Sequence, residues 1–99
     1  MECIDESYKK VVVSMIFVIN KLKYDTEKME LVSDKVRYCF YFMRCLTEAR
    51  LYRSRKRRWL IVNENGTYAI AINEESAKNI LLSYDVEAYE KMFGELEEA

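Results

Sequence analysis

The chain has 99 residues, 51% of them hydrophobic and 33% charged, with a net charge of −1. That composition supports one buried core and excludes both a second domain and a disordered chain, which lacks the apolar surface to offset chain entropy. Near-neutrality excludes a global attraction to nucleic acid or anionic lipid, so any such binding has to come from a local patch.

From Asp5 to Lys23, apolar side chains stand at Tyr8, Val11, Val12, Met15, Ile16, Ile19 and Leu22. This is the i, i+3, i+4 spacing of a helix with one buried face, and a helix is expected. The runs Val11-Val12-Val13 and Ile16-Phe17-Val18-Ile19 are β-branched and aromatic, and would also suit a fully buried strand. The stretch Val11 to Ile19 is broken by Ser14 and flanked by lysines. It falls short of the roughly 20 residues that span a bilayer, so no membrane partner is expected. The sequence opens on no pattern of positive, apolar and small-residue segments, and free thiols suit a reducing compartment. A cytoplasmic protein is therefore expected.

The cluster Tyr24-Asp25-Thr26-Glu27-Lys28 reads as a turn or a short helix start. Ser33-Asp34 offers an N-cap, and a long helix is expected to follow, with Val32, Val36, Phe40, Met43, Leu46 and Ala49 on one stripe. Next come Trp59-Leu60-Ile61-Val62, then Asn63-Glu64-Asn65-Gly66, then Thr67 to Ile72. Two β-rich runs around Asn-Gly predict a hairpin with a type I′ turn. Asn73 is expected to cap a short helix through Ala77, Ile80 and Leu81, and Asp85 to cap another carrying Val86, Tyr89, Met92 or Phe93, and Leu96. The fold class expected is α+β, a small helical domain with one β-hairpin.

The densest charge lies at Arg50, Arg53, Arg55, Lys56, Arg57 and Arg58, six cations in nine residues without an acid among them. Arginine's planar fork of donors matches phosphate, so this run suits a nucleic-acid backbone. Tyr52 and Ser54 add donors, and Trp59 is placed to stack on a base. The competing readings are a solvated face, or pairing with the acidic C-terminus, where Asp85, Glu87, Glu90, Glu95, Glu97 and Glu98 stand beside Lys91.

The segment Leu46-Thr47-Glu48-Ala49-Arg50-Leu51-Tyr52, running into basic residues and an Asn-Gly hairpin, resembles the end of the recognition helix and the wing of winged-helix DNA-binding domains. There the segment often reads Leu-x-Glu-Ala-Gly-Leu-Ile; Arg50 stands where that family usually has a glycine. The resemblance covers about residues 32–72. It implies a winged-helix-like fold, with Lys35, Arg37, Tyr38, Tyr41 and Arg44 on or near a groove-facing helix, and Arg55 to Arg58 with Asn63 and Asn65 as the wing. The partner it implies is duplex DNA, and the function a transcriptional regulator.

Catalysis has little chemical basis. There is no histidine to act as general base and no glycine-rich loop to cradle a nucleotide phosphate. Glu27, Glu30 and Asp34 could hold Mg²⁺, but their spacing is also that of a solvated helix face. Cys3, Cys39 and Cys45 lack the spacing and the histidines of a zinc site. No cofactor, metal or enzymatic activity is expected. The aromatic group Tyr38, Phe40, Tyr41 and Phe42 exceeds what one helix face can bury, which leads to the expectation of a homodimer. A rival reading is an interaction protein from a phage, virus or mobile element that inhibits a host protein, its acidic tail imitating nucleic acid.

Overall fold

A computed structural model describes residues 15–40 and 44–99. It contains six strands, β1 (Ile16–Ile19), β2 (Leu22–Asp25), β3 (Glu30–Tyr38), β4 (Thr47–Arg53), β5 (Trp59–Asn63) and β6 (Ala69–Ile72). Two helices follow, α1 (Glu74–Tyr84) and α2 (Val86–Phe93), and a 3-10 turn at Thr26–Lys28 joins β2 to β3. The architecture is α+β, as expected, but strands dominate it.

Strands β3 to β6 form one antiparallel meander in sequence order, and β1 and β2 form a separate hairpin. All of β5 is buried, because the sheet is covered on both faces. On one face Val36, Ala49, Leu51, Trp59 and Ile61 pack with Phe40 and with Ala77 and Leu81 of α1. On the other, Tyr52, Leu60 and Val62 pack with Tyr24, and with Phe17 and Ile19 of the β1–β2 hairpin. A continuous apolar run such as Trp59-Leu60-Ile61-Val62 is what a two-sided burial requires, each side chain contributing about 1.5–3 kcal/mol.

The helix expected over residues 5–23 is not formed from residue 15 onward; its first ten positions lie outside the described residues. Asn20 and Lys21 have φ of 53° and 65°, the paired positive values of a type I′ turn, and Ile19 lies directly opposite Leu22. A two-residue turn thus puts positions i and i+3 on one face, which reads as helical spacing.

The long helix expected from Ser33 through Ala49 is replaced by β3 and β4. The register slips by one residue between Leu31 and Ser33 and again between Ser33 and Val36. Val32, Val36 and Phe40 pack against the same core, an even spacing that one face of a strand shares with a helix, and the second bulge adds a three-residue step by turning Ser33 and Val36 toward that same face. Ser33 caps nothing. Its hydroxyl donates to Asp85 Oδ2 at 2.6 Å and accepts from the Lys35 amide at 3.1 Å.

The hairpin at Asn65-Gly66 forms as β5–β6, though not with a type I′ turn. Gly66 has φ of 76°, and Asn65 is not among the positive-φ residues. The turn closes from the Gly66 amide to the Asn63 carbonyl at 3.0 Å. Asn63, 3% exposed, holds it together. Its Oδ1 accepts from the amides of Thr67 and Tyr68, each at 2.9 Å, and its Nδ2 donates to Thr67 Oγ1 at 3.0 Å.

Both C-terminal helices start where expected. Asn73 Oδ1 accepts from the Ser76 amide at 2.8 Å, and Asp85 Oδ1 from the Ala88 amide at 3.2 Å. Asp85 also donates its own amide to the Leu81 carbonyl at 2.7 Å, ending α1. One residue therefore closes α1, opens α2 and, through Ser33, ties the junction to β3.

Candidate nucleic-acid interface

The basic run does not lie on a helix. Its centre is the tip of the β4–β5 hairpin, built around Ser54. The Ser54 amide donates to the Arg58 carbonyl at 2.8 Å, its carbonyl accepts from the Arg57 amide at 2.9 Å, and its Oγ accepts from the Arg58 amide at 3.1 Å. Arg57, at φ 66°, takes the left-handed position that closes a three-residue loop. Such a tip has no room to bury long side chains, and Arg55, Lys56, Arg57 and Arg58 are all exposed.

Facing the tip is the 3-10 turn, which is firmly anchored. Asp25 Oδ1 accepts from the Glu27 amide at 3.1 Å. Thr26, 6% exposed, donates its amide to the Met15 carbonyl at 2.9 Å and accepts from the Met15 amide through Oγ1 at 2.9 Å. Between tip and turn lies a cleft of about 610 Å³, lined by Lys23 and Lys28 on one side and Arg55, Lys56 and Arg58 on the other. Leu22, Tyr24, Met29 and Ser54 also line it, and Asp25 is its one carboxylate among the described residues. A second cleft, of about 410 Å³, shares Lys28, Met29, Ser54 and Arg55 with the first and adds Arg53 and Arg57 beside Glu27 and Glu30. Arg53 is engaged there, 3.6 Å from Glu30 Oε1 and 5.8 Å from the centre of the Trp59 ring.

The expected site is thereby divided. Arg53, Arg55, Lys56, Arg57 and Arg58 gather at one end of the sheet. Asn65 lies in the β5–β6 turn at the other, about 15 Å away by the length of β5, where its Oδ1 accepts from the Thr67 hydroxyl at 2.9 Å. Arg37, paired opposite Glu48, and Arg44 are exposed toward that far end, and Lys35 is exposed at the β3 bulge. Arg50 is half-buried in mid-strand, opposite Val62. Tyr41 lies outside the described residues. A groove-facing helix carrying Lys35, Arg37 and Arg44 is not present, since these residues belong to β3 and to the segment leading into β4.

Trp59 is not available to stack on a base. It is 2% exposed and stacks on Phe93 with ring centres 6.1 Å apart; its Nε1–H has no hydrogen-bond partner among the described residues. Two of the four rings behind the dimer expectation are likewise in or against the core. Phe40 is 1% exposed, and Tyr38 packs edge-on to it at 5.0 Å; Phe42, like Tyr41, lies outside the described residues.

Lys23 and Lys28 were not singled out from the sequence. They are separated from Arg55 by about 30 residues of chain, and only the antiparallel return of β3 and β4 brings them together. No sequence signal connects them. Pairing of the basic run with the acidic C-terminus of the same chain is not seen among the described residues. Among the described residues the ion pairs are Arg53–Glu30 and Lys78–Glu74, and none joins residues 54–58 to a carboxylate of residues 85–98. Among the described residues there is also no cluster of potential metal ligands and no helix long and apolar enough to cross a membrane. Comparison of the chain with protein-family models, curated proteins and solved structures finds no match.

Proposed function

We propose that this chain is a non-catalytic, cytoplasmic nucleic-acid-binding protein that grips the phosphate backbone through the cleft at the β4–β5 tip. The observation that carries this reading is the convergence of Lys23 and Lys28 with Arg55, Lys56 and Arg58 around one cleft that holds a single carboxylate among the described residues. Cations from two distant segments that face a common space repel one another, and a polyanion relieves that repulsion while releasing its own counterions. Asp25 offsets one of these five charges, so cations remain in excess around the cleft.

Of the winged-helix likeness, the proposal keeps a basic β-hairpin as the backbone contact and leaves out the groove-reading helix. Recognition of this kind is sequence-independent, since contacts to phosphate position a protein without reading bases. A regulatory role in transcription would then rest on occupancy of nucleic acid, not on a specific operator. The groove is complete within one chain, so the reading does not require the homodimer.

The test is fluorescence anisotropy with a labelled mixed-sequence oligonucleotide across a salt series. Binding should weaken steeply with salt, and replacing Arg55, Lys56 and Arg58 with alanine should flatten the log–log slope by about 2 to 3 units, as loss of three phosphate contacts implies. Those three side chains are exposed, so circular dichroism should show the fold unchanged. Absence of binding by the intact protein at low salt would refute the proposal.

A further inference from the structure

The two clefts at the base of the tip adjoin one another. They share Lys28, Met29, Ser54 and Arg55, so the cations Lys23, Lys56 and Arg58 of the one stand beside Arg53 and Arg57 of the other. Resting on the backbone-binding reading above, we infer that the occupant of this groove is a single strand of nucleic acid and not a duplex.

The inference follows from shape and from the distribution of charge. A duplex is stiff over about 150 base pairs and carries its phosphates on a convex surface. It can meet the exposed side chains at the tip, but its wide, stiff cylinder cannot enter a cleft of about 610 Å³ between two walls. A single strand is slim and flexible enough to enter and to bring successive phosphates to cations on both walls. Leu22, 36% exposed, and Met29 line the groove between the cations, giving sugars and unstacked bases an apolar surface that the outside of a duplex does not use. Among the described residues the groove-reading helix expected from the sequence is not formed, because residues 30–38 and 47–53 are paired strands.

Lys23 and Lys28 make the distinction measurable, because they belong to the wall opposite the tip. A duplex resting on the tip alone would not need them, whereas a strand in the groove passes between them and the arginines. The experiment is competition anisotropy with a labelled mixed-sequence single-stranded oligonucleotide, displaced by the same unlabelled strand or by its blunt duplex, for the intact chain and for the Lys23→Ala, Lys28→Ala double variant. Each single-strand phosphate contact contributes about 0.7 to the log–log salt slope. At 0.1 M salt, losing one contact then weakens binding about fivefold and losing both about 25-fold. The expected result is preference for the single strand, with that loss on single strand and little change on duplex. Both lysines are exposed, and a circular dichroism melt superimposing on that of the intact chain would show that the fold is kept. Duplex competing as well as or better than the single strand, or a double variant that keeps its single-strand affinity, would overturn this inference and leave backbone binding standing. Failure to bind either form would overturn backbone binding itself.

Discussion

Gly66 offers the sharpest test of how the chain reverses direction, because two independent costs meet at that position. Its φ of 76° lies in the left-handed region, where an L side chain costs roughly 1–2 kcal/mol. A Cβ built there would also stand 2.5 Å from Met15 Sδ, so the methionine has to swing aside and lose part of its packing against the cluster of Tyr24, Tyr52, Leu60 and Val62. Gly66→Ala should therefore destabilise by about 1–2 kcal/mol, the Met15 side chain being flexible enough to keep the second cost small. Unfolding entropy near 2.1 cal/mol/K per residue makes each kcal/mol worth about 5 °C in Tm for a chain of this size, so the melting midpoint should fall by about 5–10 °C. The series should rank Gly above Asn, Ala and Val in that order, since asparagine tolerates positive φ best and a β-branched residue worst. Thermal melts by circular dichroism at fixed pH and salt measure this directly. An alanine variant melting with the intact protein, or valine melting above asparagine, would show that residue 66 does not hold a left-handed conformation.

Three other outcomes follow from the same structure. Asp85→Ala removes a helix cap and the acceptor of the Ser33 hydroxyl, and should cost about 2 kcal/mol; a double-mutant cycle with Ser33→Ala in urea denaturation should show coupling of at least about 0.5 kcal/mol, and strictly additive effects would deny the 2.6 Å bond. Arg57→Gly relieves a side chain at φ 66° and should leave stability unchanged or raise it by up to about 1 kcal/mol after the entropy cost of glycine; a clear fall in Tm would mean that the guanidinium holds the tip in place. Trp59, at 2% exposure, should emit at short wavelength, resist acrylamide quenching and respond little to an added oligonucleotide, whereas strong quenching by nucleic acid would place it on the binding surface.

The hairpin at residues 59–72 and the caps at Asn73 and Asp85 were legible in the sequence because each is a local signal: an Asn-Gly pair between β-rich runs, and a short polar side chain ahead of an amphipathic stripe. The first half of the chain was misread for equally physical reasons. Val32, Val36 and Phe40 stand four apart, a spacing that one face of a strand shares with a helix, and the two-residue turn at Asn20-Lys21 puts Ile19 and Leu22 together as neighbouring turns of a helix would. Asn20 between two apolar runs was the available clue to that turn. At the site, the cations from Arg55 to Arg58 announce themselves by density. Lys23 and Lys28 do not, because their role depends on a strand pairing between residues 30–38 and 47–53 that no local pattern specifies. Trp59 shows the opposite error, since an aromatic beside a basic run looks like a stacking platform until the sheet is seen to be covered on both faces.

The location of the binding surface is best tested by titrating ¹⁵N-labelled protein with a mixed-sequence oligonucleotide at low salt and following amide chemical shifts. The account predicts shifts concentrated in residues 22–29 and 53–58, the two sides of the groove, with residues 85–98 and the Asn65 turn nearly unmoved. Shifts centred on Asn65, Arg37 and Arg44 at the far end of the sheet, or no shifts at all, would contradict it.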